Sequence, residues 1–133
     1  MTRMGLRDRF ILTGLVPPAK VPELANAMDI MCHPSRREGL ARALPQGALA
    51  GKPCITYDID GAKEAVTDGV TGYVIPPFDK AQLGDAIAKL LADPAQRSAM
   101  GRKGREFALS RFDAGVMVAE LEKVYADALV ARR

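Results

Sequence analysis

Ser35-Arg36-Arg37-Glu38-Gly39-Leu40 is the stretch whose residue types and spacing could do chemistry. It follows an apolar run, Ile30-Met31-Cys32, that reads as a buried strand ending at His33-Pro34, and it leads into a helix. Exposed amides at a helix N-terminus beside two arginines make an anion site, most naturally for phosphate. Gly39 lets a ligand approach the backbone closely. Glu38 is out of place in a pure phosphate site, because its carboxylate repels the anion. It suits a neutral or cationic group next to the phosphate, such as a sugar hydroxyl or an oxocarbenium-like centre. Gln46 lies eight residues on, about 12 Å along a helix at ~1.5 Å per residue. That is the span from a sugar, across a diphosphate, to a ribose, and a Gln amide can both donate to and accept from a diol. Spacing alone favours a plainer reading, in which Glu38 is a helix-start acid held by the dipole and Gln46 a solvated polar residue.

The elements that must position these residues alternate between β and α. Phe10–Thr13 reads as a short strand ended by Gly14, and Val21, Leu24, Ala25 and Met28 form one helical face. Asp29–Cys32 is a second strand. A helix follows Gly39 to about Ala50, with Gly51 as its C-cap. Pro53–Ile59 is a third strand, 61–67 a loop or short helix, and Tyr73–Ile75 a last strand closed by Pro76-Pro77. Asp79 with Gln82, Asp93 with Pro94, and Asp113 cap three closing helices. The apolar positions are Leu83, Ala86, Ile87, Leu90 and Leu91 in the first, and Ala99, Met100, Phe107 and Ala108 in the second. In the last they are Leu121, Val124, Tyr125, Ala128 and Leu129. The fold class is therefore α/β: a Rossmann-like parallel sheet covered by helices on both faces, followed by C-terminal helices. Residues 1–77 hold the βα units and 78–133 the three helices. Ligands of such sheets sit at the carboxyl ends of the strands, here Thr13-Gly14, His33-Pro34-Ser35, 58–61 and Pro76-Pro77.

Composition narrows the class of function. The 133 residues are 48% hydrophobic and 26% charged, which excludes a disordered or disulfide-scaffold chain. No apolar run approaches the roughly 18 residues of a spanning helix. With no leader-like start either, the expected compartment is the cytoplasm. Aromatics make up 5%, with no Trp, so a stacking surface for nucleic acid is not expected. The net charge of +3 is mild. Cys32 and Cys54 stand in apolar runs and read as buried free thiols, and with one His at no ligand spacing they do not suggest a metal site.

Several runs in order resemble the nucleotide-sugar half of group 1 glycosyltransferases. They are Leu12-Thr13-Gly14-Leu15-Val16, Pro34-Ser35-Arg36-Arg37-Glu38-Gly39-Leu40 and Ala48-Leu49-Ala50-Gly51-Lys52-Pro53. Asp60-Gly61-Ala62-Lys63-Glu64-Ala65-Val66 and the run from Asp68-Gly69 to Pro76-Pro77 continue the match. These are large retaining enzymes of the GT-B fold, and the resemblance covers nearly the whole chain. It implies that Glu38 contacts the donor sugar and stabilises positive charge during transfer. It implies that Gly39, Leu40 and Ala41 offer amides to the diphosphate, with Ser35 beside them. Gly14, Leu15 and Val16 fall where the family wraps the nucleobase. The second Glu of the family's Glu-x7-Glu motif falls on Gln46, which can still hydrogen-bond a ribose but without charge assistance.

The resemblance further implies a donor that is a nucleoside-diphosphate sugar, of UDP or GDP, with no other cofactor. It also implies an acceptor bound by a preceding N-terminal domain, and first strands of the donor domain that are absent from this chain. On that reading the chain is the last two thirds of a donor domain, inactive alone. Its exposed sheet edge would be repaired by rearrangement or self-association, and the parent enzyme could make peripheral membrane contact. His33 stands at a strand end beside the site, but the family's catalytic His lies in the missing domain, so His33 reads as a lining or structural residue. Glu64 either touches the donor or starts a short helix, and Arg36 and Arg37 meet phosphate or solvent. The competing function is a non-catalytic nucleotide-binding or assembly module on the same scaffold, which Gln46 favours.

Overall fold

A computed structural model describes residues 4–131. Three strands, β1 (Met31–His33), β2 (Cys54–Tyr57) and β3 (Gly72–Ile75), form one sheet in that order, and both pairings are parallel. Parallel neighbours need crossovers. α2 (Ala43–Leu49) supplies the first and the single turn α3 (Ala62–Ala65) lies in the second. α1 (Val21–Ala27) precedes the sheet, and α4 (Lys80–Ala92), α5 (Pro94–Arg111) and α6 (Ala114–Val130) follow it.

β2 is the centre of the core, with every residue buried. Successive side chains point to opposite faces. Cys54 packs with Leu44 and Ala48 of α2, Ala65 of α3 and Ala108 of α5. Ile55 and Tyr57 pack with Ile75, with Ala86 and Leu90 of α4, and with Met100 of α5. The sheet is thus covered on both faces, as the unbroken apolar strand runs imply.

The caps of the closing helices are formed by the residues read from the sequence. Asp79 Oδ1 accepts the Gln82 N–H at 2.9 Å, and the Gln82 amide donates to the other carboxylate oxygen at 2.9 Å. Asp93 Oδ1 accepts the Gln96 N–H at 2.8 Å, with Pro94 next in line. Asp113 Oδ1 accepts from Gly115 and Val116. Gly51, at φ +70°, ends α2 with its N–H on the Ala48 carbonyl.

Four expectations are corrected. Phe10–Thr13 is not a strand; it follows a 3-10 turn at Arg7–Arg9, and Ile11 is 91% exposed. None of β1–β3 lies alongside to complete its backbone hydrogen bonds, and an unpaired strand is not stable. The helix expected after Gly39 starts only at Ala43, so 39–41 belong to a loop. Cys32 is exposed, not buried, because β1 is the edge of the sheet. The apolar stripe of α6 (Leu121, Val124, Tyr125, Leu129) is exposed, and no residue of this helix is buried among the described residues. No helix among the described residues is long and apolar enough to cross a membrane.

Cys54 carries a pH prediction. Burial pushes its thiol up to about 12 from 9.0, against the smaller opposing effect of a backbone hydrogen bond at Ala48. The folded value is the higher one, so this contribution to stability is complete below pH ~9 and falls as pH rises toward ~12. Between pH 8 and pH 10 the folded chain is expected to lose about 1.4 kcal/mol through this group. Urea unfolding at both pH values checks it: Cys54→Ala should lack that component, and an equal alkaline loss in both proteins would refute it.

Candidate functional site

The parallel strands bring their carboxyl ends to one edge of the sheet, at His33, Tyr57 and Ile75. The loops that leave these ends are bonded to one another. Gly61 N–H donates to the Gly39 carbonyl at 2.9 Å, Glu38 N–H donates to Asp60 Oδ2 at 3.1 Å, and Asp58 N–H donates to the Ile75 carbonyl at 2.7 Å. A Cβ on Gly61 would run into the Gly39 carbonyl oxygen, so only glycine permits this approach.

An open cavity of about 760 Å³ lies along this edge, lined by Arg37, Glu38, Gly39, Leu40, Asp60, Gly61 and Glu64. Three carboxylates and one guanidinium face it, so its field is negative on balance. The Glu38 side chain is 42% exposed, and its Oε1 is 3.7 Å from His33 Nε2, beyond hydrogen-bond reach. His33 is half-buried behind Glu38. Its carbonyl accepts Thr56 Oγ1 at 3.2 Å and the Ser35 N–H at 2.9 Å. The Ser35 hydroxyl donates to the Arg37 carbonyl at 3.2 Å, tightening the turn before Glu38. Lys63 pairs with Asp58 at 2.8 Å.

The structure thus brings together Arg37, Glu38, Gly39, Leu40 and Glu64, with His33 behind them. Ala41 is buried in the core. Arg36 is directed to Phe78, its guanidinium carbon 5.6 Å from the ring centroid. Gln46 stands apart, because the loop 39–42 turns the chain before the helix begins. It lines a second cavity of about 280 Å³ between α1, α2 and α5, with Pro18, Val21, Ala25, Leu49 and Arg105. There the Arg105 guanidinium donates to the Leu49 carbonyl at 2.6 Å. Gly14 (φ +64°), Leu15 and Val16 line neither cavity. In the sequence, Asp60 and Gly61 stand out only within a strand end and a family run, not as site residues. Their position at the end of a buried strand was the available signal, but the bond to Glu38 is tertiary.

Residues 1–107 match the family model for glycosyl transferases group 1, and the chain belongs to that family. Its parallel α/β sheet is part of the GT-B architecture of glycosyltransferases. Alpha-D-kanosaminyltransferase of Streptomyces kanamyceticus is 28% identical over 121 residues, which cover 91% of this chain and 31% of that protein. Among solved structures, sucrose-phosphate synthase of Thermosynechococcus elongatus superposes with a TM-score of 0.90 at 25% identity, over 98% of this chain and 33% of that one. Anabaena HepE, solved in complex with UDP-glucose, superposes at 0.87 with 26% identity, over 95% and 34%. The chain thus spans about a third of the length of these relatives.

Proposed function

We propose that this chain is the donor-binding part of a retaining glycosyltransferase that passes a sugar from a UDP- or GDP-sugar to an acceptor hydroxyl. The observation that carries the reading is the cavity at the carboxyl edge of the sheet. It presents the Glu38 carboxylate and the Gly39-Leu40 backbone side by side, in a chain whose structural neighbour HepE was solved with UDP-glucose.

In the proposed reaction the bond between the anomeric carbon and the diphosphate breaks, and its electron pair leaves with the diphosphate. Positive charge develops on the sugar, and Glu38 stabilises it. The acceptor oxygen then bonds to the same face of that carbon, and its proton passes to the departing diphosphate oxygen. Arg37 and the amides of Gly39 and Leu40 neutralise the leaving diphosphate. The negative balance of the cavity suits the cationic sugar better than the phosphates, which makes the Glu38 end the sugar end. Gln46, on the far side of the 39–42 loop, is assigned to the ribose, and Gly14–Val16 to the nucleobase.

Calorimetric titration with UDP, GDP, UDP-glucose and GDP-mannose tests the reading. Saturable binding of one nucleotide series in the millimolar range or tighter is expected. A folded chain that binds none of the four would overturn it. Gln46 in place of the motif Glu favours a second reading, a non-catalytic nucleotide-binding module. Under that reading Glu38→Ala leaves the affinities for nucleotide and nucleotide sugar equal to each other and to wild type.

A further inference from the structure

Among the described residues, only Asp60 (φ 39°) and Phe78 (φ 67°) carry a side chain in left-handed backbone. That region disfavours any Cβ, most of all on a bulky residue, and such residues persist where their surroundings hold them. Glycine would be easier at both positions. Yet both side chains, leaving from the ends of β2 and β3, reach the same loop.

Asp60 Oδ2 accepts the Glu38 N–H at 3.1 Å, while the next peptide donates from Gly61 to the Gly39 carbonyl at 2.9 Å. The Phe78 ring lies 6.0 Å from the Tyr57 ring and 5.6 Å from the Arg36 guanidinium carbon. Phe78 is 57% exposed, so core burial does not account for its place. The loop's other hydrogen bonds are local, from Ser35 to the His33 and Arg37 carbonyls. We propose that Asp60 and Phe78 are positioning residues, a two-point clamp that fixes the Ser35–Gly39 loop and so holds Glu38 at the cavity before any ligand arrives. Asp60 grips the loop at Glu38 itself, and Phe78 grips it through Arg36. The functional consequence, tighter binding of the donor sugar through a preorganised carboxylate, rests on the proposed donor reading. The clamp itself rests on geometry.

The test is amide hydrogen exchange by NMR on the ligand-free chain, comparing wild type with Asp60→Gly, Asp60→Asn, Phe78→Gly and Phe78→Tyr. The glycine variants should melt at or above the wild-type temperature, because strained backbone relaxes. The Glu38 amide should nevertheless exchange about tenfold faster in Asp60→Gly, and the amides of 36–39 faster in Phe78→Gly. Asp60→Asn and Phe78→Tyr keep the acceptor and the ring and should restore protection. Lower melting with faster exchange throughout would reduce both residues to ordinary structural ones, and unchanged loop exchange in the glycine variants would remove the clamp. Titration with UDP-glucose and UDP separates this from the donor reading. If Glu38→Ala leaves UDP-glucose affinity intact, the donor reading fails, while the exchange result still decides the clamp.

Discussion

Gly101→Ala is expected to lower the unfolding free energy by about 3 kcal/mol or more. Gly101 sits in α5 where that helix crosses the end of α2. A Cβ there would lie 2.8 Å from the Gly51 carbonyl carbon and closer still to its oxygen. Both are backbone atoms of the turn that ends α2, and Gly51 is itself fixed at φ +70°. Neither can yield without shifting α5 off the sheet, and α5 supplies Met100 to one face of the core and Ala108 to the other. The same substitution at Gly84 should act in the opposite direction. Gly84 lies inside α4 with nothing within 4 Å of its would-be Cβ. Alanine there should stabilise the chain by about 0.5–1 kcal/mol through helix propensity alone. Thermal or urea unfolding of both variants checks the pair, and equal effects would show that the α5 contact has been misjudged.

Glu38→Gln is expected to reduce sugar transfer by about 10²- to 10³-fold in the longer polypeptide that the proposed function calls for. Gln keeps the size and the hydrogen bonding of Glu but removes the charge. The developing positive charge on the sugar would then face only Asp60 and Glu64 across the cavity. His33, at 3.7 Å from Glu38, supplies no compensating carboxylate. Gln46→Ala should act differently, raising the donor KM by about tenfold with a smaller effect on kcat, because a ribose contact is made equally in ground and transition states. Steady-state kinetics with varied donor separates the two. A Glu38→Gln enzyme with unchanged kcat would remove Glu38 from the reaction.

Local signals were the legible ones. Asp79, Asp93 and Asp113 cap their helices because a short carboxylate acts on amides two or three residues away. The apolar runs of β2 and β3 imply burial on both faces wherever they pair. Phe10–Thr13 has the same strand-like composition but lacks a neighbour, and pairing is not written in the segment itself. Cys32 is exposed for a related reason, since its surroundings depend on what flanks β1. The late start of α2 separated Glu38 from Gln46, because Gly39-Leu40 turns to meet Gly61, a contact that spans 22 residues. Glu38, Gly39 and Leu40 were visible as a strand-to-helix loop of unusual chemistry. Asp60 and Phe78 were not, since left-handed backbone under a non-glycine side chain follows from tertiary contacts.

NMR mapping of UDP-glucose on the labelled chain tests most directly the assignment of the carboxyl edge around Glu38 as the donor site. Saturable shifts are expected at the amides of Glu38, Gly39, Leu40 and Gly61, with those of the Glu38 loop smaller when UDP replaces UDP-glucose. Shifts confined to other surfaces, or identical loop shifts with UDP and UDP-glucose, would contradict it.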